Sequence, residues 1–93
     1  MAIAVIQTFP ATREQYDAVN EKLGDDMPQG GVVHTAGVLS DGRMRVIDVW
    51  ESQGDYESFL ENKLRPAIAE VAGDDAPTPE IEIYELIALQ VSG

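Results

Sequence analysis

Residues 32–52 read VVHTAGVLSDGRMRVIDVWES, and the fold turns on how this stretch is read. Two β-rich runs, Val32 to Leu39 and Met44 to Trp50, flank Ser40-Asp41-Gly42-Arg43. An Asp-Gly pair between two such runs is a strong hairpin signal, because glycine takes up the positive φ that tight β-turns require. The stretch also carries the chain's single histidine, His34, its single tryptophan, Trp50, and an acid, Asp48, set between Ile47 and Val49. Side chains alternate faces along a strand, so the length of the turn decides what His34 meets. A three-residue connection puts His34 opposite Asp48. A two-residue Asp41-Gly42 turn puts it opposite Val49, with His34 and Asp48 facing opposite sides. The sequence is compatible with either.

Working outward, Ala2 to Phe9 (AIAVIQTF) is an apolar run ended by Pro10 and reads as a first strand. Thr12 with Gln15 three residues on resembles a capping box, and Tyr16, Val19 and Leu23 follow at helical spacing up to Gly24. On the other side of the hairpin, Ser52 with Asp55 marks another helix start. Tyr56, Phe59, Leu60, Leu64, Ala67, Ile68 and Val71 then trace one face of a long helix closed by Gly73. Pro66 lacks a backbone donor, so a kink or break is expected near residues 62–65. Glu80 to Val91 reads as a last, long strand.

The order β-α-β-β-α-β is that of a ferredoxin-like α+β domain with a four-stranded antiparallel sheet, a single domain over residues 1–93. Two helices cover only one face of such a sheet, yet both faces are apolar. Ile3 and Val5 oppose Ala2, Ala4 and Ile6. Val46 and Trp50 oppose Ile47 and Val49. Ile81, Ile83, Ile87 and Leu89 oppose Tyr84, Leu86 and Ala88. The uncovered face therefore calls for burial against a second copy, sheet to sheet, with the long last strand continuing onto the partner. A homodimer is expected.

Composition narrows the function classes. Seventeen acids against six bases give a formal net charge of −11, which argues against nucleic acid and anionic membranes as partners. Cysteine is absent, leaving one histidine and the carboxylates as strong metal ligands, so neither a zinc site nor any other metal is expected. The runs Asp25-Asp26 and Asp74-Asp75 read as solvated loops. No apolar run approaches the roughly 20 residues of a membrane span, and the first residues lack a basic leader, so a cytoplasmic location is expected.

Residues 30–68, GGVVHTAGVLSDGRMRVIDVWESQGDYESFLENKLRPAI, resemble the antibiotic-biosynthesis-monooxygenase type of dimeric α+β barrel protein. The resemblance lies in the histidine-bearing strand, the Asp-Gly turn, the V-x-D-V-W-E-S strand end and the Y-x-x-F opening of the next helix. It implies two ferredoxin-like protomers packed into a barrel, each with a pocket between sheet and helices. It further implies oxidation of a small aromatic or polyketide-like substrate by O2 without metal or flavin, so no cofactor is expected. Haem-degrading relatives resemble one another in a first-strand amide, a sheet aromatic and a histidine on the second helix. Gln7 and Trp50 could fill the first two places, but the second helix here has no histidine.

Each candidate residue has a chemical and a structural reading. His34 could be the general base that such oxygenation needs, since histidine changes charge near neutral pH; otherwise it is a hydrogen-bonded wall residue. Asp48 would orient His34, or be satisfied structurally by His34, Arg43, Arg45, a helix-start amide or water. Trp50 and Gln7 could position substrate, or serve as core filler and inter-strand bond. Tyr16, Tyr56 and Phe59 lie at core spacing and would also line a pocket between helices and sheet. Tyr84 is read as a dimer contact. The alternative to an enzyme is a non-catalytic dimeric barrel that binds a small apolar molecule.

Overall fold

The computed structural model describes residues 1–24, 26–73 and 79–90. Four strands, β1 (Ile3–Phe9), β2 (Gly31–Val38), β3 (Met44–Trp50) and β4 (Glu80–Glu85), form one antiparallel sheet in the order β2-β3-β1-β4. Helices α1 (Arg13–Leu23), α2 (Gln53–Phe59) and α3 (Arg65–Ala72) complete the ferredoxin-like α+β fold, with α2 and α3 joined by a π-helical turn, Leu60–Leu64. Among the described residues, no helix is long and apolar enough to cross a membrane.

Both helix starts follow their capping residues. The Gln15 N–H donates to Thr12 Oγ1 (3.1 Å) while the Thr12 N–H donates to Gln15 Oε1 (3.0 Å), a reciprocal capping box. Ser52 Oγ accepts from the Asp55 N–H at 3.2 Å. Between α2 and α3 the chain does not break as Pro66 suggests. The Arg65 N–H reaches back five residues to the Leu60 carbonyl, and Pro66 falls in the first turn of α3, where no backbone donor is required. The wide turn absorbs the proline and keeps the helical path.

The hairpin has three connecting residues. Val38 pairs with Met44, the Leu39 N–H donates to the Arg43 carbonyl (2.7 Å), and the Gly42 N–H donates to the Leu39 carbonyl (2.9 Å) with Gly42 at φ 92°. This is a tight turn followed by a left-handed glycine. The Asp41 carboxylate accepts from the Arg43 backbone N–H (3.0 Å) and from Arg43 Nε (2.9 Å), which together hold its carboxyl below the usual range. At the other end of β2 a bulge makes Val32 the extra residue: Gly31 opposes Trp50 and Val33 opposes Val49. Gly30 sits just before it at φ 82°, and a Cβ there would overlap the Asp55 carboxyl at the start of α2.

Ile3, Val5, Trp50 and Tyr56 form the buried core, with Phe59 and Leu60 packed against it. The Trp50 ring lies 5.2 Å from Phe59 and 5.8 Å from Tyr56, both tilted, so the helix-side face of β1 and β3 is held by aromatic contacts at one end of the sheet. On the opposite face Ala4 and Thr8 are buried, but Ile47 and Tyr84 are 40 % and 48 % exposed. The apolar centre of that face is open, with Thr8, Arg45, Glu80 and Glu82 sharing it by register.

The last strand is shorter than its sequence pattern suggests. It ends at Glu85 instead of running to Val91, which lies outside the described residues. The reason is pairing: β4 hydrogen-bonds only to β1, whose ladder ends at Ile3, with one further bond from the Leu86 N–H to the Ala2 carbonyl (2.9 Å). Beyond that point the described residues offer no partner strand, and Ile87 is wholly exposed.

Candidate active site

Between the sheet and the helices α1 and α3 lies a cavity of about 510 Å3, within the size range of small-molecule sites. Its walls are largely apolar, built from Phe9, Val19, Leu23, Val46, Phe59 and Ile68 among others, and the π-helical turn adds Lys63 and Leu64. Of the residues singled out in the sequence, Gln7, Tyr16, His34, Asp48, Trp50 and Phe59 all line this cavity. Tyr56 does not. It lies buried in the core, where its Oη accepts from Gln7 Nε2 at 2.7 Å.

The three-residue turn places His34 directly opposite Asp48. Their side chains meet, His34 Nδ1 to Asp48 Oδ1 at 2.6 Å. An imidazole is ordinarily a stronger base than a carboxylate, so the shared proton belongs on Nδ1, which donates to Asp48. The Asp48 side chain is 14 % exposed and His34 40 %. Burial raises the Asp48 carboxyl above its ordinary value; the hydrogen bond and charge of His34, then the Thr35 backbone, oppose that rise. Of the partners open to Asp48 from the sequence, it takes the histidine.

With Nδ1 protonated, Nε2 of the neutral ring is a free acceptor, and the Tyr16 hydroxyl fills it at 2.8 Å. Tyr16 is one turn into α1, its N–H bonded to the Thr12 carbonyl (3.0 Å), so the capping box fixes where the phenol reaches. Its ring stands nearly parallel to that of His34, at 19° and 6.4 Å between centroids. Burial, then the charges of Asp48 and Asp17, raise the Tyr16 phenol above its ordinary value, so it holds its proton. The result is a chain, Tyr16–His34–Asp48, across one cavity wall. Only half of it is foreseeable from strand register: Tyr16 belongs to the inward stripe with Val19 and Leu23, but its bond to His34 joins elements that sequence spacing does not bring together.

A second polar pair lies deeper. Burial raises the Tyr56 phenol, opposed by the Gln7 hydrogen bond. Gln7 is buried on the helix-side face of β1 and borders the cavity, so its carboxamide joins the Tyr56 hydroxyl to the cavity floor. Trp50 walls the same region, and its buried Nε1–H has no hydrogen-bond partner among the described residues.

No family model and no curated protein matches the chain, but solved structures match over essentially its whole length. A candidate antibiotic biosynthesis monooxygenase from Chloroflexus aurantiacus superimposes with a TM-score of 0.71 at 18 % identity, covering 100 % of both chains. The fold is that of the antibiotic-biosynthesis-monooxygenase-like proteins. Within this monooxygenase-like group, SnoaB, a cofactor-independent oxygenase from Streptomyces nogalater, matches with a TM-score of 0.68 at 18 % identity, over 97 % of this chain and 95 % of its own. Rv0793 of Mycobacterium tuberculosis matches at 0.73 and 13 % identity, over 98 % of this chain and all of its own. At such identities the monooxygenase-like likeness concerns architecture, and the roles of residues rest on geometry.

Proposed function

We propose that the protein is a cofactor-independent monooxygenase acting on a small aromatic or polyketide-like molecule held in the cavity. The observation that carries this reading is the Asp48–His34 dyad on the wall of a largely apolar cavity large enough for a fused-ring ligand. Asp48 fixes the tautomer of His34 and offsets the charge that forms when the ring takes a proton. The substrate loses a proton to the histidine side and becomes a carbanion or phenolate. One electron passes to O2, the radical pair combines to form a C–O bond, and the peroxide so made is protonated. Loss of water leaves a carbonyl. A methylene and O2 thus become a ketone and water. Trp50, Gln7, Phe59 and Tyr16 bound the substrate, and the unpartnered Trp50 Nε1–H gives a carbonyl-bearing ligand a donor to seek.

A second reading, binding without catalysis, draws support from one feature. The Tyr16 hydroxyl already occupies His34 Nε2, the atom that would take the proton. Aerobic incubation with an anthrone separates the two: the oxygenase consumes O2 and yields the quinone, whereas a binding protein perturbs ligand fluorescence with no uptake.

In either reading the assembly is a homodimer through the open sheet face. Exposed Ile47 and Tyr84, and the apolar Ile87 and Leu89 beyond the end of β4, support it, because a second copy would cover the first pair and pair with the chain that carries the second.

A further inference from the structure

We infer that Tyr16 is the proton relay of the site, the group that meets the acidic proton of the substrate and passes its own to His34. The inference rests on the reading of His34 as a base and adds the atom through which that base acts. His34 Nδ1 is committed to Asp48 at 2.6 Å, and Nε2 is committed to the Tyr16 hydroxyl at 2.8 Å. Both ring nitrogens are therefore occupied, and the only hydroxyl on this chain of bonds that can face a bound molecule is that of Tyr16, itself a cavity-lining residue on α1. The two rings are nearly parallel, 6.4 Å apart between centroids, and both border the cavity, with the His34 Nδ1 edge toward Asp48.

Proton balance follows directly. The substrate C–H or O–H proton moves to Tyr16 Oη as the phenolic proton moves to His34 Nε2. His34 becomes imidazolium with its Nδ1–H still on Asp48, the substrate becomes an anion, and Tyr16 ends as it began, a neutral phenol. A concerted double transfer is required, because a free tyrosinate beside the buried Asp48 is disfavoured. The relay also defines a substrate class: a planar ring system with an acidic methylene or hydroxyl on its rim, since the proton must be presented to the Tyr16 oxygen on the cavity wall. A proton at the centre of a ring face would not reach it.

The experiment isolates proton transfer from oxygen chemistry. An anthrone is incubated anaerobically in D2O with wild type, Tyr16→Phe and His34→Ala, and exchange of its methylene protons is followed by NMR. The relay predicts exchange by wild type well above the buffer rate, with losses of about 100-fold or more in both variants. The single histidine makes a second readout clean: 15N spectra of wild type show an Nδ1–H tautomer with a hydrogen-bonded Nε2. In Tyr16→Phe the tautomer persists and the Nε2 signal moves to that of a free acceptor, which shows a folded site lacking only the relay. Exchange in Tyr16→Phe as fast as wild type, or no acceleration by wild type, overturns the proposal. Wild-type exchange without aerobic O2 uptake leaves the relay standing and removes the oxygenase reading instead.

Discussion

His34 and Asp48 are direct cross-strand partners, 14 residues apart in sequence and joined Nδ1 to Oδ1 at 2.6 Å. That relationship is a product of turn length. A two-residue Asp41-Gly42 turn, with Ser40 paired to Arg43, would carry His34 to Val49, and one residue fewer between His34 and the present turn would carry it to Ile47; both lie on the other face of the sheet. Deleting Gly37 is expected to make the second shift, or to unfold β2 if the helix-side pattern resists the slip. Either way the 15N and 1H signals of the lone imidazole lose the signature of an Nδ1–H donated to carboxylate. A Gly37 deletion that keeps this signature would show that register does not make the dyad.

The two glycines that shape β2 differ in what confines them. Gly42 has positive φ, but a Cβ there meets open space, so Gly42→Ala is expected to cost about 1 kcal/mol of conformational strain. Gly30 combines positive φ with a Cβ that would overlap Asp55. Gly30→Ala should cost about 2–4 kcal/mol, adding displacement of the α2 cap to the strain. Urea unfolding of the two variants checks the order, and an equal or reversed order would contradict the close approach of Gly30 to α2.

These features also mark how far the sequence reaches. The capping box at Thr12 and Gln15 and the hairpin at Asp41-Gly42 are local signals, and local signals are legible. The register was not, because Asp-Gly serves both two- and three-residue loops and the choice depends on how β2 packs against β3. Pro66 announced a disturbance near residues 62–65 but not its form, since a π-helical turn and a break both satisfy a missing donor. The pattern of β4 ran on past Glu85 because alternation records what a strand could pair with, not where its partner ends. Tyr56 read as a pocket residue by its spacing, whereas its hydroxyl is taken by Gln7 in the core. The Tyr16–His34 bond spans a helix and a strand, and no spacing rule brings those together.

Asp48 gives the account a pH dependence. Burial raises its carboxyl above 3.8 in the folded chain, against the opposing hydrogen bond of His34. A raised folded value means that the folded chain holds the proton to higher pH than the unfolded one. The associated stability is present below the unfolded value and is lost as pH rises through the folded value. Asp48→Asn does not titrate, and the other carboxylates act alike in both proteins. The unfolding free energy of wild type minus that of Asp48→Asn is therefore expected to fall from about pH 3 to pH 6. A difference that rises with pH would mean that pairing with His34 outweighs burial.

The open sheet face predicts the assembly. Wild type should sediment at twice the 10.1 kDa of the chain, and Ile47→Lys, which puts a charge at the apolar centre of that face, should shift it toward monomer. A wild-type mass near 10.1 kDa contradicts the dimer. A variant that stays dimeric places the interface elsewhere.

The claim on which the function rests is that His34, held by Asp48, removes a proton from a substrate that O2 then oxidises. The most direct measurement is O2 uptake with an anthrone, wild type against His34→Ala, with quinone formation followed in the same vessel. The account predicts one O2 consumed per quinone formed by wild type, and a rate lower by about 100-fold or more in His34→Ala. Equal rates in the two proteins would remove His34 from the chemistry, and no uptake by wild type would leave the cavity a binding site.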